Sequence, residues 1–332
     1  MRVLVLGGTT FLSAAIAELA LDAGDEVVCL ARGDSGGFPL GVTSVVADRR
    51  WGPVVYRALE GTFDFVVEVA TQPSFVDEAL RELGARAGHW TYVSSCSVYA
   101  RHDQPWADET AELSAPLTEG AGDEAYPGLK SRSEAICRER VGDRLHVLRP
   151  GLLVGPGDPS DRFGYWPARL SRDVDAPVVV PASPDSVVQL VDVRDVAEWV
   201  LRSADEGLVG VHNVGGPSTP LVEVLESVAD VCGFAGDFLP VPESVLSAHG
   251  VSAWSGPDSI PLWLPEGGEY EGFARRDISA AFDAGLDVRR LAETVRDVVD
   301  DEVARGLWRE RRAGLRPTTE QRLVAAAEAG EF

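Results

Sequence analysis

Short apolar strands alternate with helical segments through the first half of the chain, and this alternation constrains the fold more than any other feature. The opening segment RVLVLGG predicts a buried strand, and SAAIAELALDAG predicts a helix that ends at Gly24. The segments EVVCLA, TSVVAD, FDFVVEVA and WTYVSSCSVY predict further strands, with the helical PSFVDEALRELGARAG before the last. Strands and helices in this rhythm form βαβ units. The sequence therefore predicts an α/β fold built on a doubly wound parallel sheet.

The turn between the first strand and the first helix, LGGTTFLSAAI, contains glycine. Glycine at such a turn lets backbone N–H groups and the helix N-terminus approach a pyrophosphate, as in Rossmann-type dinucleotide sites. Glycine is expected at positions one, four and seven of the turn, which here hold Gly7, Thr10 and Ser13. Small residues at the two altered positions still permit close approach, although a tight turn with no ligand is the alternative. The predicted cofactor-binding residues of this turn are Gly7, Thr9, Thr10, Phe11 and Leu12.

The end of the second strand indicates which dinucleotide is bound. An acidic residue there accepts the ribose hydroxyls of NAD, whereas an arginine favours the 2′-phosphate of NADP. The sequence reads CLARGD, with Ala31 at the expected acidic position and Arg32 next to it. We therefore predict NADP as the cofactor, with NAD as the alternative, although Arg32 could be an ordinary surface arginine. Asp48 ends the third strand, where it would meet the adenine amine or cap a turn.

The strand–helix rhythm loosens from about Phe163, where prolines and glycines accumulate. VVQLVDVRDVAEWVLRSA then predicts a strand that runs into a helix, and GVHNVGG predicts another strand. We predict a dinucleotide-binding domain over residues 1–165, to which residues 187–215 return. Residues 166–332 would form a smaller substrate-binding domain with a helical tail. Ligands of doubly wound sheets bind beyond the carboxyl ends of the strands, so this second domain would form the other wall of the site.

Lys130, in the segment YPGLK, is the only lysine in 332 residues, although lysine and arginine together number 30. It lies one helical turn after Tyr126, so both side chains are on one face of the helix. Lysine carries a compact charge whose pKa can be moved, whereas arginine stays protonated and forks rigidly. The pattern indicates a site that needs a slender ammonium beside a phenol, with chance placement as the alternative.

The segments YVSSCSVY, YPGLK, LRPGLLVGPGD, VDVRDVAEW and HNVGG occur in an order that resembles the extended short-chain dehydrogenase/reductases. That group contains the NAD-dependent epimerases and dehydratases. The resemblance spans essentially the whole chain, and only the opening turn GGTTFL matches imperfectly. It implies that Tyr126 is the general acid/base, that Lys130 favours the phenolate and reaches the nicotinamide ribose, and that Ser95 hydrogen-bonds the reacting oxygen. Ser94 and Ser97 are the alternatives to Ser95.

Other strand ends would border the nicotinamide half of the cofactor, namely those that carry Val69, Ala70, Pro150 and Leu153. Packing is the alternative role for these residues. Members of the family that act on nucleotide sugars commonly hold the diphosphate with an Arg-Asp pair, and the matching positions here are Val188 and Gln189. This departure opposes a nucleotide sugar as the substrate. The segment GDPSDRFGYWPARL instead offers a predicted substrate wall of Arg162, Phe163, Tyr165 and Trp166, with hydrophobic packing as the alternative.

The formal net charge of the chain is −23. Such a charge repels phosphate backbones and anionic membranes, so we expect a small-molecule substrate as partner, and neither nucleic acid nor membrane. The four cysteines form no C-x-x-C pair and the five histidines have no metal-ligand spacing. We therefore expect free thiols, no metal and a cytoplasmic location. The resemblance also allows a homodimer.

Three functions follow from these residues. The first is an NADP-dependent oxidoreductase that interconverts ketones and alcohols on a small organic metabolite through Ser95, Tyr126 and Lys130. The second is an epimerase or dehydratase that keeps NAD(P) tightly bound and acts on a sugar-like substrate. The third is a non-catalytic member of the fold that senses dinucleotides or associates with RNA. The altered glycines favour the third function, whereas Tyr126, Lys130 and the acidic charge oppose it.

Overall fold

The computed structural model describes residues 1–183 and 185–332. The strands of the described residues are β1 (Arg2–Leu6), β2 (Glu26–Ala31), β3 (Thr43–Val46), β4 (Phe63–Glu68), β5 (Ala87–Val93), β6 (Leu145–Pro150), β7 (Leu152–Val154), β8 (Val178–Pro181), β9 (Val187–Asp192), β10 (Gly210–Val214), β11 (Ser218–Pro220), β12 (Phe238–Val241), β13 (Ser252–Trp254) and β14 (Ser259–Pro261). The α-helices are α1 (Phe11–Asp22), α2 (Pro73–Leu83), α3 (Gly122–Val141), α4 (Tyr165–Arg172), α5 (Val193–Glu206), α6 (Leu221–Cys232), α7 (Glu243–Ala248), α8 (Ser279–Asp283), α9 (Leu291–Arg305) and α10 (Pro317–Glu328).

Seven strands form one parallel sheet in the order β10-β6-β5-β4-β1-β2-β3. The chain runs outward from β1 to β3, crosses back to β4 and then runs outward in the other direction. The direction in which successive strands are added to the sheet reverses between β1 and β4. At this point the carboxyl ends of the strands open a crevice for ligands. The predicted Rossmann-type doubly wound parallel sheet is confirmed.

Two apolar layers cover the sheet because alternate side chains of each strand point to opposite faces. On one face, Val3 and Val5 of β1 pack with α1 and α5. On the other face, Leu4 and Leu6 of the same strand pack with α2 and α3. Since both faces are buried, these strands appear in the sequence as continuous apolar runs rather than alternating ones. The sandwiched sheet gives the residues at its carboxyl edge a rigid support.

A second region has its own apolar core, formed mainly by α4, α6, α9 and α10 around short strands. In it, β7 and β11 flank β9 in a three-stranded sheet, β8 pairs with β12, and β13 pairs with β14. The segment LRPGLLVG divides between β6 in the main sheet and β7 in this region.

The division between the two regions differs from the expected boundary at residue 165. The side chains of Leu152, Val154 and Phe163 pack in the core of the second region, so the chain leaves the main sheet at about residue 151. Within residues 187–215, β9 belongs to the three-stranded sheet, whereas α5 and β10 return to the main sheet. Side-chain burial decides this division, and the sequence rhythm alone does not reveal it.

The four cysteines are free thiols, and Cys29, Cys96 and Cys137 are buried. None of the helices in the described part of the chain is both long enough and apolar enough to cross a membrane.

Candidate active site

The turn after β1 brings the backbone close to the crevice. Gly7 and Gly8 have φ angles of +143° and +93°, which L side chains rarely adopt. A Cβ atom at Gly7 would lie 2.9 Å from Cγ2 of Val69, so glycine lets the turn pack closely against Val69. The turn therefore carries the backbone past Val69 into the start of α1, where a helix N-terminus can receive a pyrophosphate.

Ser13 braces this turn at the position where a third glycine was expected. Its hydroxyl accepts a hydrogen bond from the backbone N–H of Gly8 at 3.0 Å and donates one to the carbonyl of Thr10 at 2.8 Å. The altered motif thus replaces a glycine with a side chain that ties the two ends of the turn together. The substitution preserves the shape of the turn by a different physical means.

A cavity of about 580 Å³ lies beside the turn, at the carboxyl ends of β1, β2, β3 and β4. Among the residues predicted to bind the cofactor, those that line it are Gly7, Thr9, Thr10, Arg32, Asp48, Val69 and Ala70. Phe11 and Leu12 instead pack in the apolar layer beneath α1. Pro150 ends β6 beside Val214, and Leu153 pairs with Val191 in the second region.

Arginine side chains surround the far end of this cavity. Arg32 is half exposed and lies 3.8 Å from Asp34. The carboxylate of Asp48 is held by Arg50 at 2.5 Å, and these hydrogen bonds lower the pKa of Asp48 to about 2. Asp48 also accepts a hydrogen bond from the backbone N–H of Arg50. It therefore caps a turn, which is one of its two expected roles. This end of the cavity therefore holds two arginines, each beside an acidic partner.

The three predicted catalytic residues come from two neighbouring elements. Ser95 follows β5 and begins a 3₁₀ turn over Cys96–Val98, and its hydroxyl accepts a hydrogen bond from the backbone N–H of Ser97 at 3.1 Å. Tyr126 and Lys130 lie on α3, with the ammonium of Lys130 at 5.8 Å from the centre of the Tyr126 ring.

The phenol of Tyr126 is held in its protonated form. Burial raises its pKa, and a hydrogen bond from Ser95 partly opposes that rise. Among the three candidate serines, Ser95 is the one whose hydroxyl lowers the pKa of Tyr126. A buried phenol with a hydroxyl beside it can pass a proton to or from an oxygen placed between them.

Lys130 is 2% exposed, and backbone carbonyls surround its ammonium group. The Nζ atom donates to the carbonyls of Val93 at 2.7 Å, Ala70 at 3.2 Å and Val69 at 3.4 Å. Burial lowers the pKa of Lys130 to about 8, against an opposing contribution from the nearby Glu68 carboxylate. The lone lysine thus joins α3 to the ends of β4 and β5.

Glu68 and Arg49 form a buried ion pair at this edge of the sheet that the sequence analysis did not find. The carboxylate of Glu68 is fully buried and accepts two hydrogen bonds from the Arg49 guanidinium, at 2.8 and 2.6 Å. The signal in the sequence was an acidic residue inside the apolar strand FDFVVEVA, because buried carboxylates are rare unless they are paired.

The predicted substrate wall divides into two parts. Phe163, Tyr165 and Trp166 are at most 5% exposed and pack in the core of the second region, where the Trp166 indole donates to the carbonyl of Pro261. They are thus core residues rather than a ligand wall, because a ligand could reach them only by disrupting that core. Arg162 remains half-buried, with its guanidinium 5.0 Å from the centre of the Trp254 ring.

The residues at the positions of the expected Arg-Asp pair have structural partners. Val188 is buried, and the side-chain amide of Gln189 pairs with the backbone of Arg276, accepting from its N–H at 3.1 Å and donating to its carbonyl at 3.0 Å. Gln189 thus fixes the segment of Arg276 against β9. Neither residue is free to grip a diphosphate.

Residues 64–215 match the sequence model of the NAD dependent epimerase/dehydratase family. The chain is 23% identical over 264 residues to the chloroplast stem-loop binding protein of 41 kDa b from Arabidopsis thaliana, a match that covers 74% of this chain. It covers 65% of that protein, so the chain spans less than two thirds of this relative's length.

Solved structures share the fold at low sequence identity. The UDP-glucose 4-epimerase of Thermus thermophilus, solved in complex with NAD, aligns with a TM-score of 0.63 and 21% identity over 91% of this chain and 98% of that one. The UDP-N-acetylglucosamine 4-epimerase of Bacillus cereus aligns with a TM-score of 0.67 and 18% identity over 92% of this chain and 100% of that one. At these identities the likeness establishes the fold.

Proposed function

Through residues 64–215 the chain belongs to the NAD-dependent epimerase/dehydratase family, and from this premise we propose that it is an NAD(P)-dependent epimerase or dehydratase that acts on a sugar-like substrate. The observation that carries the proposal is the meeting of Ser95, Tyr126 and Lys130, with the Lys130 ammonium bound to the carbonyls of Val69 and Ala70, two residues that line the cavity. The family match and the sugar epimerases among the structural relatives favour this function over the reduction of ketones.

The proton transfer would be the work of Tyr126. As a hydride leaves the substrate carbon, the Tyr126 phenolate would take the proton of the hydroxyl on that carbon, and the resulting phenol, which burial favours, would donate the proton back when the hydride returns. Ser95 would hydrogen-bond the same oxygen and hold it in position. The positive charge of Lys130, on the same helix face, would favour the phenolate when Tyr126 has given up its proton.

The residues of the cavity fit a nicotinamide dinucleotide. The backbone at Gly7 and the start of α1 would receive the pyrophosphate, and Lys130 would reach the nicotinamide ribose by giving up one of its three hydrogen bonds to backbone carbonyls. When bound, the nicotinamide would supply hydride transfer, taking a hydride from the substrate and returning it, so that the reaction has no net redox change.

We propose NADP as the preferred form of this cofactor. Arg32 stands at the end of β2 beside Ala31, and Arg50 lies across the cavity, so positive charge would meet a 2′-phosphate. The carboxylate of Asp48 is already bound by Arg50 and is less available to the hydroxyls or amine of adenosine. The structural relatives solved with NAD make NAD the alternative.

The substrate would be a sugar-like ring. Strand β9 offers no side chain that would hold a diphosphate attached to that ring. Val188 and Gln189 are committed to the core and to the backbone of Arg276. Arg162, half-buried over Trp254, is the candidate for a polar contact to the ring. A test panel should therefore contain free sugars and cyclic polyols beside nucleotide sugars.

The test is to incubate the purified protein with this panel without added cofactor and to follow the sugars by proton NMR. We expect isomerised or dehydrated product without consumption of added NADPH, and Tyr126→Phe should lower the rate about a hundredfold or more. Tyr270→Phe, at an exposed tyrosine of the second region, is the matched control. Stoichiometric consumption of NADPH with a ketone would instead favour the oxidoreductase, and full turnover by Tyr126→Phe would refute the mechanism.

The partners follow from charge and family. A small molecule is the proposed partner, in a cytoplasmic protein that can form a homodimer and binds neither membrane nor nucleic acid. One relative is named a stem-loop binding protein, which brings RNA into consideration. The net charge of −23 opposes it, because binding to nucleic acid depends on neutralising its phosphates with basic side chains.

A further inference from the structure

The Glu68–Arg49 ion pair lies at the edge of the site, and further hydrogen bonds hold its charged groups. Glu68 is the last residue of β4, and Arg49 reaches it from the turn after β3. The guanidinium also donates to the phenol oxygen of Tyr56 at 3.0 Å and to the carbonyl of Phe75 at 2.6 Å. Buried charges are tolerated when they are paired and hydrogen-bonded in this way. The pair therefore fixes the end of β4 against the turn and the start of α2.

A single peptide segment connects this pair to Lys130. The Glu68 carboxylate accepts a hydrogen bond from the backbone N–H of Ala70 at 2.8 Å. The carbonyl of Ala70 in turn accepts from the Lys130 ammonium at 3.2 Å and from the Tyr92 hydroxyl at 3.1 Å. The negative charge of Glu68 and the positive charge of Lys130 thus act on the same residue, Ala70, which also lines the cofactor cavity.

We propose that the Glu68–Arg49 pair is a positioning device for Lys130, which fixes the strand end whose carbonyls hold the ammonium and keeps that ammonium charged. Glu68 and Arg49 are positioning residues, since they act on the reaction through Lys130. The proposal rests on the proposed function only for the catalytic role of Lys130.

The electrostatic surroundings of Lys130 support this role for Glu68. Burial of an ammonium favours its neutral form, and a nearby carboxylate opposes that effect. Besides Glu68 on β4, the groups that face the ammonium are the Tyr92 ring of β5 at 4.9 Å and, on α3, Tyr126, Glu134 and Cys137. Glu134 is bound by Arg149 in a pair of its own, at 2.7 Å. Glu68 also has an arginine partner, but it shares the residue Ala70 with the ammonium and contributes more than Glu134 to offsetting the cost of burying the charge of Lys130.

The single lysine makes the test direct, because protein labelled with ¹³Cε-lysine gives one lysine signal, whose chemical shift follows the charge of Lys130. In an NMR titration, Glu68→Gln should move the midpoint to lower pH by about one unit, since the carboxylate is removed. Glu68→Asp keeps the charge and should stay near wild type. The matched control is Glu320→Gln, which breaks another buried pair, Arg169–Glu320, in the second region and should leave the midpoint unchanged.

If Glu68→Gln does not fold, as judged by circular dichroism, Glu68→Gln combined with Arg49→Met removes both buried charges and should still titrate below wild type. A midpoint in Glu68→Gln, or in the double variant, equal to that of wild type would overturn the proposal. The titration needs no substrate. Absence of turnover on the sugar panel would therefore defeat the proposed function without affecting this result.

Discussion

At the scale of single residues, the surroundings of Lys130 explain why an arginine-rich chain keeps one lysine. Three backbone carbonyls lie within 3.4 Å of the ammonium, and the Tyr92 ring lies 4.9 Å away. An ammonium has three donors and fits this set of acceptors. A guanidinium is planar, carries five N–H groups and is wider, so it would leave donors unpaired in a buried position.

Lys130→Arg should therefore remove most of the activity, although the charge is retained. We expect the rate to fall about a hundredfold or more, since the group that tunes Tyr126 and holds the ribose would be displaced. The measurement is turnover of the best substrate from the sugar panel, with folding checked by circular dichroism. Arg138→Lys, at an exposed position of the same helix, is the control and should be nearly neutral. Near-normal turnover in Lys130→Arg would mean that the lysine has no special role.

Residues set by local spacing could be predicted from the sequence, and residues set by long-range contacts could not. Tyr126 and Lys130 share a helix face because they are four residues apart. Gln189 pairs with Arg276, and no periodicity links positions so distant along the chain. Phe163, Tyr165 and Trp166 have a composition that suits a ligand wall, and only the packing of the second region shows that they are buried in its core.

At the scale of elements, the β1–α1 turn shows how an imperfect motif keeps its shape. Two glycines with positive φ carry the backbone past Val69, and the Ser13 hydroxyl bridges Gly8 and Thr10. The sequence predicted the turn from Gly7 and treated Ser13 as a tolerated departure. The hydrogen bonds of Ser13 depend on the orientation of its side chain, which the spacing of residues does not specify.

Ser13→Ala should destabilise the chain because it leaves the buried N–H of Gly8 without its partner. We expect a loss of about 1–3 kcal/mol in the free energy of unfolding. Urea denaturation followed by circular dichroism measures this loss. Ser247→Ala, at an exposed position of α7, serves as the control and should change the stability little. A loss in Ser13→Ala no larger than in the control would show that the bridge does not stabilise the turn.

Strand boundaries were predictable where a strand stays within one sheet. EVVCLA is β2 from its first to its last residue, whereas LRPGLLVG passes from β6 in the main sheet to β7 in the second region. Pro150 and Gly151 mark a turn between the two halves, but they do not show that the partner strand changes. The change of partner strand, rather than the composition of the segment, separates them.

At the scale of the whole molecule, the overall negative charge contrasts with the arginines that line the cofactor cavity. The chain carries a net charge of −23, yet Arg32, Arg49 and Arg50 line the cavity at the carboxyl ends of β2 and β3. Each of these arginines also has a carboxylate partner, so a dinucleotide phosphate would compete with Asp34, Glu68 and Asp48 for them. The parallel sheet agrees with a ligand at this place, because such sheets bind ligands where the direction of the chain reverses.

The most direct measurement of the central claim is calorimetric titration of the purified chain, stripped of bound nucleotide, with NADP and with NAD. The account predicts one nicotinamide dinucleotide bound per chain, with NADP bound more tightly than NAD because of Arg32 and Arg50. NAD bound as tightly as NADP would contradict the role given to these arginines. Absence of binding for both nucleotides would contradict the central claim, since Tyr126 and Lys130 would then have no cofactor beside which to act.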